Sequence, residues 1–598
     1  MANSMDTTSP IALLLRGSIP SPDDDRLAEI LDFFGIPWTA LTISEAKGDA
    51  VASLTSGRSR FSILTSAPCL AEALQRGDAR KLPDWMTAAA SVFVYGFKTT
   101  DACKNLLRDI TGDPEASIRS LDARPLNVSF ADDFPEMCGP MSGVQMQLEP
   151  GAADSVLTVR CASGEFQSIV AASEGHLFLG FTHAGVPFFG DASQTVIGIH
   201  QRSATYFDVK KYFAGVVPLV MYLKWSFREI CWTAQETSAC LIIDDPLLKP
   251  RYGFLDFREL LQLMNKQTFA ATIAFIPWNW RRTNHDTVAT FRQNTDKLSV
   301  CVHGCDHSGG EFATRSTELL DRKLRTAKYR MNSLLKRTAL HHDRVMVFPQ
   351  GAFSPEVGLA LKGNGFVAAV NTEVAPLNND CNETTIADLW SVAILRYGGF
   401  PIFTRRYVTH GIENFAFDGL LGKPCFVVGH HELFRDHGSK LSEFVGKLKS
   451  LNWNLCWRTL EDAVCRSYSI QRRDEIIRVK MFAEQLIIEN IEAVPRQMTV
   501  LKDEADISAV KGVTVNQEPI DYEYASGCLQ FIVNVPSKST AEIRCTYHEE
   551  PTSSASSESI SDSLKVAARR YLSEFRDNYV SRNAFLYRTA AVAMRLLK

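Results

Sequence analysis

The sequence predicts an α/β protein whose centre is a (β/α) barrel, complete or distorted. An N-terminal α/β domain precedes it, and a small C-terminal β-sandwich-like module with a helical tail follows. Three observations lead there. Between residues 236 and 470 apolar strand-like runs alternate with helical periodicity, the pattern of strands buried on both faces and joined by helices. Residues with chemistry to offer sit where those runs end: Asp244, Asp245, His303, His307, Pro349 and His430. The 598 residues leave room for three or four domains of about 150 residues each.

The expected elements follow in chain order. Residues 1–120 alternate strand and helix (Ile11 to Leu15, Phe61 to Leu64, Val92 to Tyr95) and form an α/β, Rossmann-like domain without a G-x-G-x-x-G. Ser21-Pro22-Asp23-Asp24-Asp25 predicts a helix start, with a capping serine, proline at the first position and acids in the first turn. Residues 121–235 are a β-rich region, ending in an amphipathic linking helix over Tyr212 to Trp232. In 236–470 the expected strands are Cys240–Asp245, Phe269–Pro277, Leu298–Cys305, Arg344–Gln350, Phe366–Asn371, Val392–Tyr397, Cys425–His430 and Leu455–Arg458. A helical segment near 472–490 leads to the β-sandwich-like module of 495–548. A serine-rich linker, 549–563, and a basic helical tail, 564–598, complete the chain.

Composition narrows the function classes. The hydrophobic fraction of 45% and charged fraction of 22% are those of a soluble globular protein, and a net charge of −4 supplies no field for nucleic acid. No export signal or membrane-spanning stretch is legible, so a cytoplasmic location is expected, with scattered reduced cysteines. The tail carries eight Lys/Arg against two Asp/Glu and an apolar face of Leu564, Ala568, Tyr571, Leu572, Phe575 and Tyr579. Such a helix suits peripheral contact with a membrane surface or an acidic protein partner; docking on its own protein or a second subunit is the plainer alternative.

The residues at the strand ends point to metal-assisted hydrolysis. One carboxylate and two histidines can hold a divalent ion while leaving positions for water and substrate. A second carboxylate can then take the water proton, and a further acid can protonate the leaving group. Asp245, His303 and His307 fit the first role, Asp244 the base, and His430 or His431 the acid. Two consecutive carboxylates can divide the work only where the strand ends, and Pro246 is compatible with that exit.

Leu241-Ile-Ile-Asp-Asp-Pro, Val302-His-Gly-Cys-Asp-His, Val347-Phe-Pro-Gln-Gly and Phe426-Val-Val-Gly-His430 resemble motifs of the polysaccharide deacetylase family, the NodB homology domain, over roughly residues 236–465. The resemblance implies a distorted (β/α) barrel that hydrolyses an N-acetyl, less often O-acetyl, group on a sugar. It assigns Asp244 as base, His430 as acid, and Asp245, His303 and His307 as metal ligands. Zinc is the implied metal, with cobalt, nickel, iron or manganese compatible with nitrogen–oxygen ligation. The family arginine of the third motif is replaced by Val347, and Asn371-Thr372 stands where its acidic partner is expected, so the base is expected to lack its usual support. Trp278, Trp280 and Arg281 after the second strand, with Pro349 and Gln350, are the expected substrate-binding residues: aromatic faces with cations suit a sugar carrying phosphate or carboxylate groups, and the expected substrate is an acetylated sugar or oligosaccharide. Two other readings stay open. One is a hydrolase of a non-sugar amide; the other is a non-catalytic saccharide-binding or scaffold protein of a polysaccharide-synthesis system.

Overall fold

In the computed structural model of the chain, the described residues are 10–46, 51, 60–75, 82–160, 166–377, 384–473, 475–548 and 560–583. The serine-rich stretch 549–559 and the tail beyond 583 lie outside them.

Eight parallel strand segments close the barrel between residues 237 and 429. Their order around the ring is Thr237–Asp244, Ala271–Phe275, Leu298–His303, Val345–Val347, Ala368–Asn371, Ile402–Thr404, Arg406–Tyr407 and Cys425–Gly429, which pairs back with the first. A short ninth strand, Leu455–Trp457, pairs with the start of the first. The last gap is bridged by one stretch of chain. Ile402–Thr404 pairs with Ala368–Asn371 on one side, and Arg406–Tyr407 pairs with Cys425–Gly429 on the other, so the strand changes partner at Arg405.

Strand alternation separates two cores. Cys240, Ile242, Ala274, Cys301, Val345, Val347, Val370, Phe403 and Phe426 fill the barrel interior, whereas Leu241, Ile243, Ile273 and Val300 face the surrounding helices. Because the side-chain period is two, Asp244 falls in phase with Cys240 and Ile242, His303 with Cys301, and Arg405 with Phe403. Each therefore continues the inward row of its strand into the mouth.

Four expectations change. Val392–Tyr397 is not a strand: it makes one bridge, Ile394 to Ile402, and its apolar side chains are buried in irregular backbone. A short apolar run reports burial and does not report strand geometry. The expected boundary at 120/121 does not separate two sheets, because one eleven-stranded sheet spans the whole N-terminal part. In it the parallel strands Trp38–Thr42, Ile11–Arg16, Phe61–Ser66 and Ser91–Tyr95 continue through Val186–Asp191 into antiparallel strands of the 121–235 region. The linking helix is Val217–Ser226, and its first seven residues are buried, so it is an internal helix rather than an amphipathic one. The segment near 472–490 is β: Ser469–Arg473, Ile476–Met481 and Gln485–Asn490, where alternating burial in Ile476–Met481 follows its alternating apolar and polar residues. These strands join those after 495 in a five-stranded and a four-stranded sheet that share one core, a β-sandwich. The helix after Ser21 forms as expected, over Pro22–Phe33 with a capping box.

The sandwich is fastened to the barrel by buried charge. Lys362, on the barrel helix Val357–Gly363, pairs with Glu504 at 2.8 Å, and Lys502 pairs with Glu484 at 3.1 Å; all four are almost fully buried. Tyr547 donates to Glu484 at 2.5 Å and contacts Glu504 at 3.0 Å.

The described part of the tail, helix Ile560–Phe575 continued through Arg576–Val580, packs on the barrel. Glu574 binds Lys249 at 2.6 Å and also pairs with Arg282. Asp577 accepts from Tyr252 Oη at 2.6 Å, and Asn578 accepts from the Gly253 N–H at 2.7 Å. Docking on the tail's own protein, the plainer of the two expectations, is thus what this stretch does. Among the described residues no helix is long and apolar enough to cross a membrane.

Candidate active site

Asp244 is the last residue of its strand and nearly fully buried. Asp245 has φ of +81°, outside the range that strand continuation needs. That turn breaks the alternation, so the second carboxylate opens to the same mouth as the first instead of the helical layer.

The ligand-type atoms of Asp245, His303 and His307 all lie within 4.8 Å of one another. Asp245 Oδ1 stands 3.1 Å from His307 Nε2 and 3.6 Å from His303 Nε2. His303 Nδ1 is 3.0 Å from the Val347 carbonyl, which can only accept, so Nδ1 carries the hydrogen and the Nε2 lone pair faces Asp245. Asp245 Oδ1 is buried without a hydrogen-bond donor among the described residues. An orphaned carboxylate oxygen beside an imidazole lone pair, in an O,N,N set, is what a divalent ion of the zinc type would satisfy.

The loop between the histidines has an organiser that the sequence reading left without a role. Glu311 accepts from the N–H groups of Cys305 (3.0 Å), His307 (3.1 Å) and Asp306 (3.1 Å), and from Ser308 Oγ at 3.2 Å. Gly304, at φ +64°, is required here: a Cβ would collide with both Glu311 and Pro349. Pro349 is therefore a buried wall of this turn. Asp306 is tied away from the mouth by Lys323 and by Arg330 at 2.6 Å. Cys301 and Cys305 are buried thiols whose pKa burial pushes far up, as core cysteines should be.

Asp244 does have its support. Arg405 Nη1 and Nη2 each donate to one of its oxygens at 2.7 Å, and the pair is almost wholly buried. Burial raises the Asp244 carboxyl; Arg405 more than offsets it and keeps the group ionised below the usual carboxylate range. The missing third-motif arginine is thus replaced from a different strand, at the point where the ring changes partner.

These groups line one cavity of about 240 Å³, with His430 and Gln350 on its wall. Gly351, Thr372, Glu373, Arg405 and Tyr407 line it as well and were not foreseen. Tyr407 lies parallel to His430, ring centroids 6.3 Å apart. Asn371 Nδ2 donates to the carbonyls of Gly351 and Glu373, both at 2.9 Å, and so fixes the two loops that carry these residues. His431 turns elsewhere: it is buried against Phe254 and Tyr252, with Nε2 3.7 Å from Asp577. Of the two histidines, His430 is the one in the cavity.

Trp278, Trp280 and Arg281 are not among the cavity residues. Trp278 meets Tyr571 of the tail helix edge to face at 6.1 Å, with Arg282 over both rings, and Arg281 covers the ring of Trp280 at 4.5 Å. Their faces are occupied by the protein itself.

No family profile and no curated protein matches the chain. Among solved structures it is similar to one described as Agd3, a novel carbohydrate deacetylase, at 12% identity over 90% of this chain and 98% of that one, with a TM-score of 0.45. Over 38% of its length it is similar to a family 4 carbohydrate esterase from Streptomyces lividans in complex with acetate, at 12% identity, 93% of that chain and a TM-score of 0.24. A family 4 acetyl xylan esterase from Clostridium thermocellum in complex with a cobalt ion matches at 17% identity, over 38% of this chain and 89% of that one, with a TM-score of 0.23.

Proposed function

We propose that this protein is a metal-dependent hydrolase that removes an acetyl group, N-acetyl in preference to O-acetyl, from a carbohydrate. One observation carries the reading. A single cavity gathers an O,N,N donor set, a second carboxylate held by a buried arginine, and a histidine on the wall.

Asp245, His303 and His307 would hold the ion, zinc by default, with cobalt, nickel, iron or manganese also fitting these ligands. When bound, such an ion supplies Lewis-acid polarisation of the acyl carbonyl and makes water acidic near neutral pH. The protein's own residues do the rest. Arg405 uses one lone-pair site on each Asp244 oxygen and leaves acceptor capacity on both, so Asp244 stays ionised, fixed in direction and able to take the water proton. His430 donates a proton to the leaving nitrogen, without which an amine anion would have to depart. Tyr407 and Gln350 line the space available to the sugar ring. At about 240 Å³ the cavity falls under the roughly 300–1,000 Å³ of sites that enclose a whole drug-sized ligand. It suits one acylated ring, with the remainder of a saccharide outside.

The scaffold reading drew its support from the missing partner of the base, and the Arg405–Asp244 pair removes that support. The test is acetate release from N-acetylated and O-acetylated oligosaccharides by wild type and Asp244→Asn. Wild type should release acetate, faster from the amide, and the variant should lose about 10²–10⁴-fold. Equal release by both would overturn the assignment of the base.

A further inference from the structure

The tail helix presents two chemically different sides. Its inner side docks by polar contacts, and the two acids between Leu564 and Asn583 are turned there: Glu574 to Lys249 and Arg282, Asp577 to Tyr252 and Arg576. Its outer side carries Leu564, Leu572, Phe575 and Tyr579, with Tyr571 at its border, half turned to Trp278 and Arg282; each of the five is between 55% and 69% exposed. Five of the sixteen exposed large apolar side chains among the described residues therefore fall on this one short element. Their spacing of seven, one, three and four is that of a single helical stripe. Phe575 and Tyr579 stack on each other at 5.3 Å and, among the described residues, on no third ring. Lys565, Arg569 and Arg582 are exposed alongside the stripe, as is Arg576, which is paired with Asp577, and no acidic residue is exposed with them between Leu564 and Asn583.

We propose that this outer face is a docking surface for an anionic lipid bilayer. A helix docked for protein contact alone has no reason to hide Glu574 and Asp577 and leave leucine and aromatic rings in water. An apolar stripe of Leu, Phe and Tyr flanked only by cations is what lies in the interface of a membrane bearing negative headgroups, the rings at headgroup depth and the cations paired with phosphate or carboxylate. The same helix reaches the rim of the cavity. The Arg569 guanidinium lies 3.8 Å from where a Gly309 Cβ would sit, and Gln350 Oε1, on the cavity wall, lies 3.7 Å from that point. A protein held by this face therefore keeps its cavity close to the lipid surface. If the deacetylase reading holds, on which this one consequence rests, the favoured substrate is an acetylated saccharide attached to or lying on a membrane.

The experiment is co-sedimentation of the full chain with vesicles of phosphatidylcholine alone, or with about one-third phosphatidylserine. Leu572→Glu/Phe575→Glu is compared with wild type, and light scattering follows the oligomeric state. Both positions are more than half exposed, so the variant should keep the wild-type melting temperature. Wild type should pellet with the anionic vesicles, less so as salt screens the cations, and not with phosphatidylcholine alone; the variant should lose at least about tenfold in partitioning. Absence of wild-type binding, equal binding by the variant, or equal binding to both vesicle types overturns the proposal. So does a wild-type dimer that the variant converts to monomer without vesicle binding, since the occupant is then a second copy. Vesicle binding is read without substrate, so its success beside a failure of acetate release would overturn the deacetylase reading alone.

Discussion

Arg405 and Asp244 are joined by two hydrogen bonds of 2.7 Å, from a residue 161 positions away, at the point where the barrel wall changes strand partner. Both side chains are inside the protein, so neither can be lost alone without stranding the other's charge. Arg405→Met should lower stability by about 3–5 kcal/mol and cut kcat by about 10²-fold or more, because Asp244 loses both its direction and its ionised state. Zinc stoichiometry should remain at the wild-type value. An Arg405→Met variant with wild-type kcat would show that Asp244 is not the base.

Glu311 binds the loop that carries His307 through three backbone N–H groups. Glu311→Gln keeps the shape and removes the charge from those bonds. Zinc affinity, measured by competition with a chelating dye, should fall about 10–100-fold, the range seen when groups supporting metal ligands are removed. Unchanged affinity would mean that the loop holds its form without it.

Lys362 and Glu504 clamp the barrel to the sandwich. Lys362→Met should cost about 3–5 kcal/mol in urea denaturation, since Glu504 is then buried beside Glu484 with one cation fewer. Pairing it with Glu504→Leu should recover much of the loss. Additive losses in the double variant would contradict this account of the pair.

Asp191 lies in the N-terminal sheet, where burial pushes its carboxyl up to about 7 although Ser193 donates to it from both N–H (3.0 Å) and Oγ (2.6 Å). The folded state therefore binds this proton more tightly than the unfolded chain does. Its effect on stability is neutral below about pH 4, grows unfavourable as pH rises toward 7, and is constant above. Asp191→Asn keeps the acceptor oxygen and abolishes the titration. It should raise stability at pH 8 by up to about 4 kcal/mol and leave it unchanged at pH 4. An equal effect at both pH values would exclude linkage to this group.

The sequence was informative wherever one strand carried the whole signal. Asp244, Asp245, His303 and His430 stand at the ends of apolar runs, and the runs are strands of one ring that brings them to one mouth. It was less so where a partner comes from elsewhere in the fold. Arg405 is not legible in sequence because Val392–Tyr397, a run whose burial resembles that of a strand, competes for the ring position before it. The inward phase of Phe403 and Arg405 was the signal that could have found it. Trp278 and Trp280 look like a sugar platform in sequence. What covers the Trp278 ring is Tyr571, almost three hundred residues downstream, and local pattern says nothing about that contact.

The central claim is that the O,N,N set holds an ion on which deacetylation depends, and it is tested most directly by one measurement. Acetate release from an N-acetylated oligosaccharide is followed in chelated protein before and after zinc is restored, for wild type and His303→Ala. The account predicts no release after chelation, recovery with zinc in wild type, and none in the variant. Undiminished release by wild type from which metal analysis shows the ion removed would contradict it.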